Sequence, residues 1–147
     1  MENACIKDII LSKNETRLEI LLKNEQEKCK VFNCFININI DIITQNPSNT
    51  DNMQRFFINI KDFDLKIVKE KLQDLNIEFK IIENLVKISI TGVGIKTNTK
   101  VLYNIISTLN KNNIEILTIS TSEIKISMLI KENQGEEAIF LLNKLLK

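Results

Sequence analysis

Apolar residues in this chain recur at two periods, and the two periods take turns. Ile6 to Ser12 reads as a short apolar strand, which polar Lys13-Asn14-Glu15 ends. From Arg17 to Leu22 every second residue is apolar (Leu18, Ile20, Leu22), so a second strand follows. Residues 25–36 change to the helical period, with Val31, Cys34, Phe35 and then Ile38 at i, i+3, i+4 and i+7. The pattern then predicts a strand over Ile38 to Thr44, a turn-rich loop at "NPSNTDN" and a strand over Phe56 to Ile60. A helix over Asp64 to Leu75 carries Leu65, Val68 and Leu72 on one stripe, and Ile77 to Ile82 is the next strand.

The second half repeats that order. Lys87 to Thr91 alternates, and Gly92-Val93-Gly94 turns the chain. Val101, Leu102, Ile105, Ile106 and Leu109 form a helical stripe that Asn112-Asn113 closes. Strands are expected over Ile114 to Thr121 and Ile124 to Ile130, and a helix over Glu136 to Leu146. Aligning Asn37 with Asn113 gives an offset of 76 residues and matches Ile38, Ile40 and Ile43 to Ile114, Ile116 and Ile119. Both copies change apolar parity inside the expected strand, which predicts a bulge or twist there.

An internal repeat outranks the single-domain reading of the length. The expected fold class is α+β: two ferredoxin-like βαββαβ units with antiparallel sheets and helices on one face. The first spans residues 13–84 and the second 85–147. The second lacks a closing strand after its last helix, while the first half has one strand too many. The N-terminal strand, residues 1–12, is therefore expected to complete the second unit.

Composition narrows the chemistry. The 147 residues are 44% hydrophobic and 27% charged, with a net charge of +1, which fits a globular chain and gives no electrostatic case for nucleic acid or an anionic membrane. No apolar run approaches the ~20 residues of a membrane span, and the N-terminus has no signal-peptide pattern. There is no His, so a His-based triad or zinc site is excluded. Three glycines cannot supply a glycine-rich nucleotide loop. Cys5, Cys29 and Cys34 show no CxxC spacing and read as small thiols of a cytoplasmic protein, so neither a metal nor a cofactor is expected.

"ISTSEIKIS", Ile119 to Ser127, followed by an amphipathic helix, resembles the C-terminal end of monofunctional, lysine-pathway aspartate kinases. "INIDIITQN", Ile38 to Asn46, is similar to the matching segment of that family's preceding regulatory unit, and "VKISITGVGI", Val86 to Ile95, to the opening of its last unit. The resemblance covers essentially the whole chain, and such repeats are ACT domains. It implies a module that binds lysine or threonine between ACT units of two chains, as a homodimer. It also implies that the module passes feedback inhibition to a catalytic kinase domain or subunit at the first step of aspartate-family amino-acid biosynthesis. The catalytic part is expected to be absent here, which makes the chain a regulatory subunit or an excised regulatory piece rather than an enzyme.

The resemblance also proposes effector contacts. In the first unit it points to Gln45 and Asn46 at a strand end, with Asp41 and Ser48 nearby. In the second it points to Asn98, Thr99 and Val101 at a helix entrance, and to Asn113 and Ile114 at the next strand. Helix-start N–H groups suit an effector carboxylate, and amides and strand-end carbonyls suit its ammonium. Each residue has a plainer reading. Gln45, Asn46 and Ser48 flank Pro47 and fit a turn. Asn98 and Thr99 fit a helix cap, Asn113 a left-handed helix terminator, and Asp41 a solvated strand position. This chain departs from the family pattern in three places. The first loop is the shorter "KNEQEKCK" in place of Asp-Lys-Pro-Gly, Gln54-Arg55 replaces Thr-Asp, and Thr99-Lys100 replaces Pro-Gly. Those departures favour an alternative, an ACT interaction module that has lost its effector.

Overall fold

The computed structural model describes residues 5–40, 43–47, 53–95 and 98–146; over 43–47 it describes the backbone. Asp41 and Ser48 lie outside the described residues. The chain forms two compact units, Asn14–Glu83 and Asn84–Lys147, the latter including the chain up to Lys13.

The first unit contains the second half of β1 (Cys5–Leu22), α1 (Glu25–Cys34), β2 (Ile43–Pro47), β3 (Gln54–Lys61), α2 (Leu65–Asp74) and the start of β4 (Glu78–Val93). Its strands lie in the order β2-β3-β1-β4. β1 and β3 pair antiparallel from Glu15↔Lys61 to Leu22↔Gln54, and β2 joins the outer side of β3. Alternate residues of β1 and β3 (Leu18, Ile20, Leu22, Phe56, Ile58, Ile60) face the helices and meet Val31, Val68 and Leu72 in one core. Their neighbours face the other way and form a charged ladder. Lys61 Nζ is 2.8 Å from buried Glu15, Arg55 Nε is 3.4 Å from Glu19, and Arg17 sits 4.4 Å over the Phe57 ring.

The second unit contains the rest of β4, α3 (Thr99–Lys111), β5 (Thr118–Thr121), β6 (Lys125–Lys131) and α4 (Gly135–Leu146). Its order is β1-β4-β6-β5, the first half of β1 taking the edge beside β4. Both units thus show the strand order of a ferredoxin-like sheet. Ile6, Ile9 and Leu11 of β1 pack on a core that includes Ile88, Ile105, Leu109, Met128, Ala138 and Leu142.

Several boundaries differ from those expected. Residues 6–12 and 17–22 are one strand, because Lys13-Asn14-Glu15 does not break the ladder. Asn14 bends the strand with φ 61, and Glu15 is 1% exposed, held by Lys61 and by an Asn59 Nδ2 hydrogen bond of 3.1 Å. Residues 77–82 and 87–91 likewise belong to a single β4, which carries Asn84 at φ 61. Such a conformation is tolerable for Asn because its short polar side chain suits the left-handed region.

The second strand of each unit starts later than expected, at Ile43 and at Thr118. In the second unit the reason is the end of α3. Asn113 is left-handed (φ 59), its N–H donates to the Asn110 carbonyl at 3.1 Å, and the Ile114 N–H donates to the Leu109 carbonyl at 2.9 Å. Those are the two bonds of a Schellman terminator. They commit the Ile114 backbone to the helix and turn its side chain into the core. In the first unit, Ile38 and Ile40 pack on the core ahead of β2. The parity change is therefore the junction between a core-filling loop and a strand, not a bulge within one.

Deleting residues 1–12 removes the edge strand and three apolar contacts of the second unit. Hydrogen exchange should then quicken more at Ile88, Ile126 and Leu142 than at Leu18 and Ile58. Equal protection in the truncated and full chains would contradict this assignment of β1.

Candidate functional site

In each unit the end of the first strand, the start of the first helix and the end of the second strand meet at one edge of the sheet. That follows from the crossover: the second strand runs parallel to the first, so both finish where the helix begins. It also places the candidate residues.

In the second unit this edge holds Asn98, Thr99 and Val101. Gly94 turns the chain out of β4 with φ 74, and Ile95 anchors it in the core at 3% exposure. Asn98 caps α3: its Oδ1 accepts the Val101 N–H at 3.2 Å, and its own N–H donates to the Ile95 carbonyl at 3.2 Å. The cap reading of Asn98 is therefore what the geometry shows, and its side-chain oxygen is committed to the helix. Thr99 is exposed at the first turn, and Val101 packs against the core. Thr99 and Lys100, as the first residues of a helix, have no intrahelical acceptor for their N–H groups.

Asn113 and Ile114 lie elsewhere. They close the far end of α3, roughly 20 Å along the helix from Asn98. Asn113 is exposed, and its carbonyl accepts Gln134 Nε2 at 3.0 Å; Ile114 is a core residue. Neither stands in the next strand, which begins four residues later at Thr118. Within one chain the two halves of this candidate set are not brought together.

In the first unit, Gln45 is in register with Phe56, whose ring faces the helices, and Asn46 with Arg55 on the other face. The same edge carries a polar cluster that the sequence pattern did not reveal. Asn24 caps α1, its Oδ1 accepting the Glu27 N–H at 2.9 Å. The Glu25 carboxylate, on the first turn, accepts Gln54 Nε2 and Lys28 Nζ, both at 3.0 Å. Lys28 Nζ also lies 5.5 Å from the Phe56 ring, which packs edge-on against Phe32. Only the cap had a readable signal: Asn24 followed three residues later by Glu27 has the spacing of a capping box. The Gln54 bond joins residues 29 positions apart and has no local signature. The Gln54 bond, and then that from Lys28, hold the Glu25 carboxyl below its ordinary pKa.

Among the described residues no three Cys, Asp or Glu side chains come together as metal ligands, and no helix is long and apolar enough to cross a membrane.

Comparison with known proteins adds three findings. Residues 88–146 match the ACT domain family model. Over 153 residues the chain is 31% identical to the aspartokinase of Helicobacter pylori (strain ATCC 700392 / 26695), covering 95% of this chain and 36% of that protein. It therefore spans about a third of the length of the curated relatives it matches. In fold it is similar to the ligand-free regulatory subunit of aspartate kinase from Thermus thermophilus, with a TM-score of 0.86 and 21% identity over 97% of this chain and 99% of that one. It also resembles E. coli aspartokinase III in complex with lysine and aspartate, with a TM-score of 0.69 and 18% identity over 100% of this chain and 35% of that one. The fold is thus the ferredoxin-like ACT fold, and the chain is similar to the regulatory part of aspartate kinases.

A lowered carboxyl pKa contributes stability that is present above the unfolded value, ~4.3 for Glu, and is lost as pH falls through the folded value. The Glu25 titration followed by NMR should run below the ordinary Glu range and move up in Gln54→Ala. An unchanged titration in that variant would mean that the contact does not hold in solution.

Proposed function

We propose that this chain is the effector-binding regulatory part of an aspartate kinase, acting in the cytoplasm as a homodimer of tandem ACT units. The effector is a free amino acid, lysine or threonine. Its binding passes feedback inhibition to a catalytic kinase domain or subunit, at the entry to aspartate-family amino-acid biosynthesis. The observation that carries this reading is the shared edge in each unit, where a helix start and a strand end converge within an ACT fold. A helix start offers N–H groups to a carboxylate, and side-chain amides and carbonyls suit an ammonium. Thr99 at the α3 entrance, and Gln45 and Asn46 at the end of β2, are the residues proposed to make those contacts; the Val101 N–H is already taken by Asn98, so Val101 is proposed only to line the site.

The homodimer is the part of this reading that gives Asn113 and Ile114 a place at the site: a second chain with its α3 antiparallel to the first would set the α3 end of one copy beside the α3 entrance of the other. A two-fold axis produces that arrangement twice.

A second reading is an ACT interaction module that has lost its effector, and Glu25 favours it for the first unit. Its carboxylate already stands on the first turn of α1, where an incoming carboxylate would gain most from the helix dipole. A second negative charge there meets repulsion.

Calorimetric titration with lysine and with threonine, up to millimolar concentration, separates the two readings. The effector reading expects heat with one of them, and a rise in melting temperature; at a hundred times Kd the gain is about 2.7 kcal/mol. A dimer that gives no heat and no shift with either amino acid would leave the interaction reading in its place.

A further inference from the structure

We propose that Gly92 is a mechanical junction through which the entrance of α3 and the start of β1 move together. Gly92 is buried between two stretches of backbone. On one side its N–H donates to the carbonyl of Ile124, just ahead of β6, at 2.9 Å. On the other it faces β1 directly. A Cβ placed on Gly92 would overlap the Cys5 carbonyl oxygen and come within 3.1 Å of both the Cys5 carbonyl carbon and the Ile6 Cα. Neither neighbour is a side chain that could rotate away. Any other residue here forces backbone to shift, and a displacement of Gly92 itself is handed on, because packed backbone has little compressibility.

Two residues later the left-handed Gly94 turns the chain, Ile95 fixes it in the core, and the Asn98 N–H closes the turn on the Ile95 carbonyl. Gly92 thus stands six residues ahead of the α3 cap along the chain and directly against the first strand, with close backbone contacts to Ile124 on one flank and to Cys5 and Ile6 on the other. Ile6 carries the movement onward, since it packs on the core of the same unit. The coupling stands on this geometry alone. Its use, to report occupancy of the α3 entrance at the start of β1, rests on the effector reading above.

Hydrogen exchange of the full chain tests the coupling without any ligand. Asn98→Ala removes the cap and loosens the entrance. The amides of Ile6–Ile9, on another strand, should then exchange ~5-fold faster, while Ala138–Leu142 of α4 keep their wild-type rates. Gly92→Ala tests the reverse direction: Thr99–Leu102 should quicken by a similar factor. Asn98→Ala decides the matter if Gly92→Ala does not fold. Wild-type rates at Ile6–Ile9 in Asn98→Ala, or an equal loosening of α4, would overturn the proposal. Calorimetry on the wild-type chain separately shows whether the effector reading holds.

Discussion

The construction of the second unit turns on one close approach, the backbone of Cys5 and Ile6 against Gly92. Residues 84–147 supply three strands and two helices, and the fourth strand comes from the other end of the sequence. That strand closes the sheet edge and contributes Ile6, Ile9 and Leu11 to the core. Its seat depends on the absence of a side chain at residue 92. A chain with so few glycines spends one of them here, which explains why "TGVG" is conformationally special without being a nucleotide loop. Val93, between the two glycines, is exposed and plays no part in this packing.

The repeat has a physical signature in its helix ends. Asn113 ends α3 and Asn76 ends α2, both left-handed, each followed by an isoleucine whose N–H bonds back to a leucine carbonyl (Ile114 to Leu109, Ile77 to Leu72). Each isoleucine and leucine is buried in its own unit's core. Asn37, at the position equivalent to Asn113, is also left-handed, with φ 74. The same problem, turning a helix back toward the sheet while filling the core, is solved with Asn in place of Gly. This is why Asn113, read from sequence as either a terminator or a ligand contact, serves in the fold as a terminator.

Much of the fold was legible. The order of strands and helices followed from periodicity, and the ACT character from the "ISTSEIKIS" and "VKISITGVGI" segments. What failed were features decided at long range. Lys13-Asn14-Glu15 looks like a turn, yet Glu15 is buried because Lys61 and Asn59 meet it across β3. The parity change before Ile43 and Ile119 looks like a bulge, yet a helix terminator and a core-filling loop produce it in the second unit. Of the candidate site, Asn98 and Thr99 fell at a helix entrance as expected, whereas Asn113 and Ile114 fell at its opposite end. The Glu25–Gln54–Lys28 cluster was invisible, because a 29-residue separation leaves no periodic trace.

The functional account joins two sheet edges, one in each unit, to one kind of ligand. The first-unit edge carries its own carboxylate at the helix start, while the α3 entrance has none. The two units therefore stand as unequal candidates for an amino acid. The most direct test is an amide-resolved NMR titration of the full chain with lysine and with threonine. The account predicts saturable shifts confined to the strand-end and helix-start edges, around residues 45–46 and 54–56 or around 94–102. Shifts at neither edge, or saturable shifts centred elsewhere, such as the outer face of α4, would contradict it.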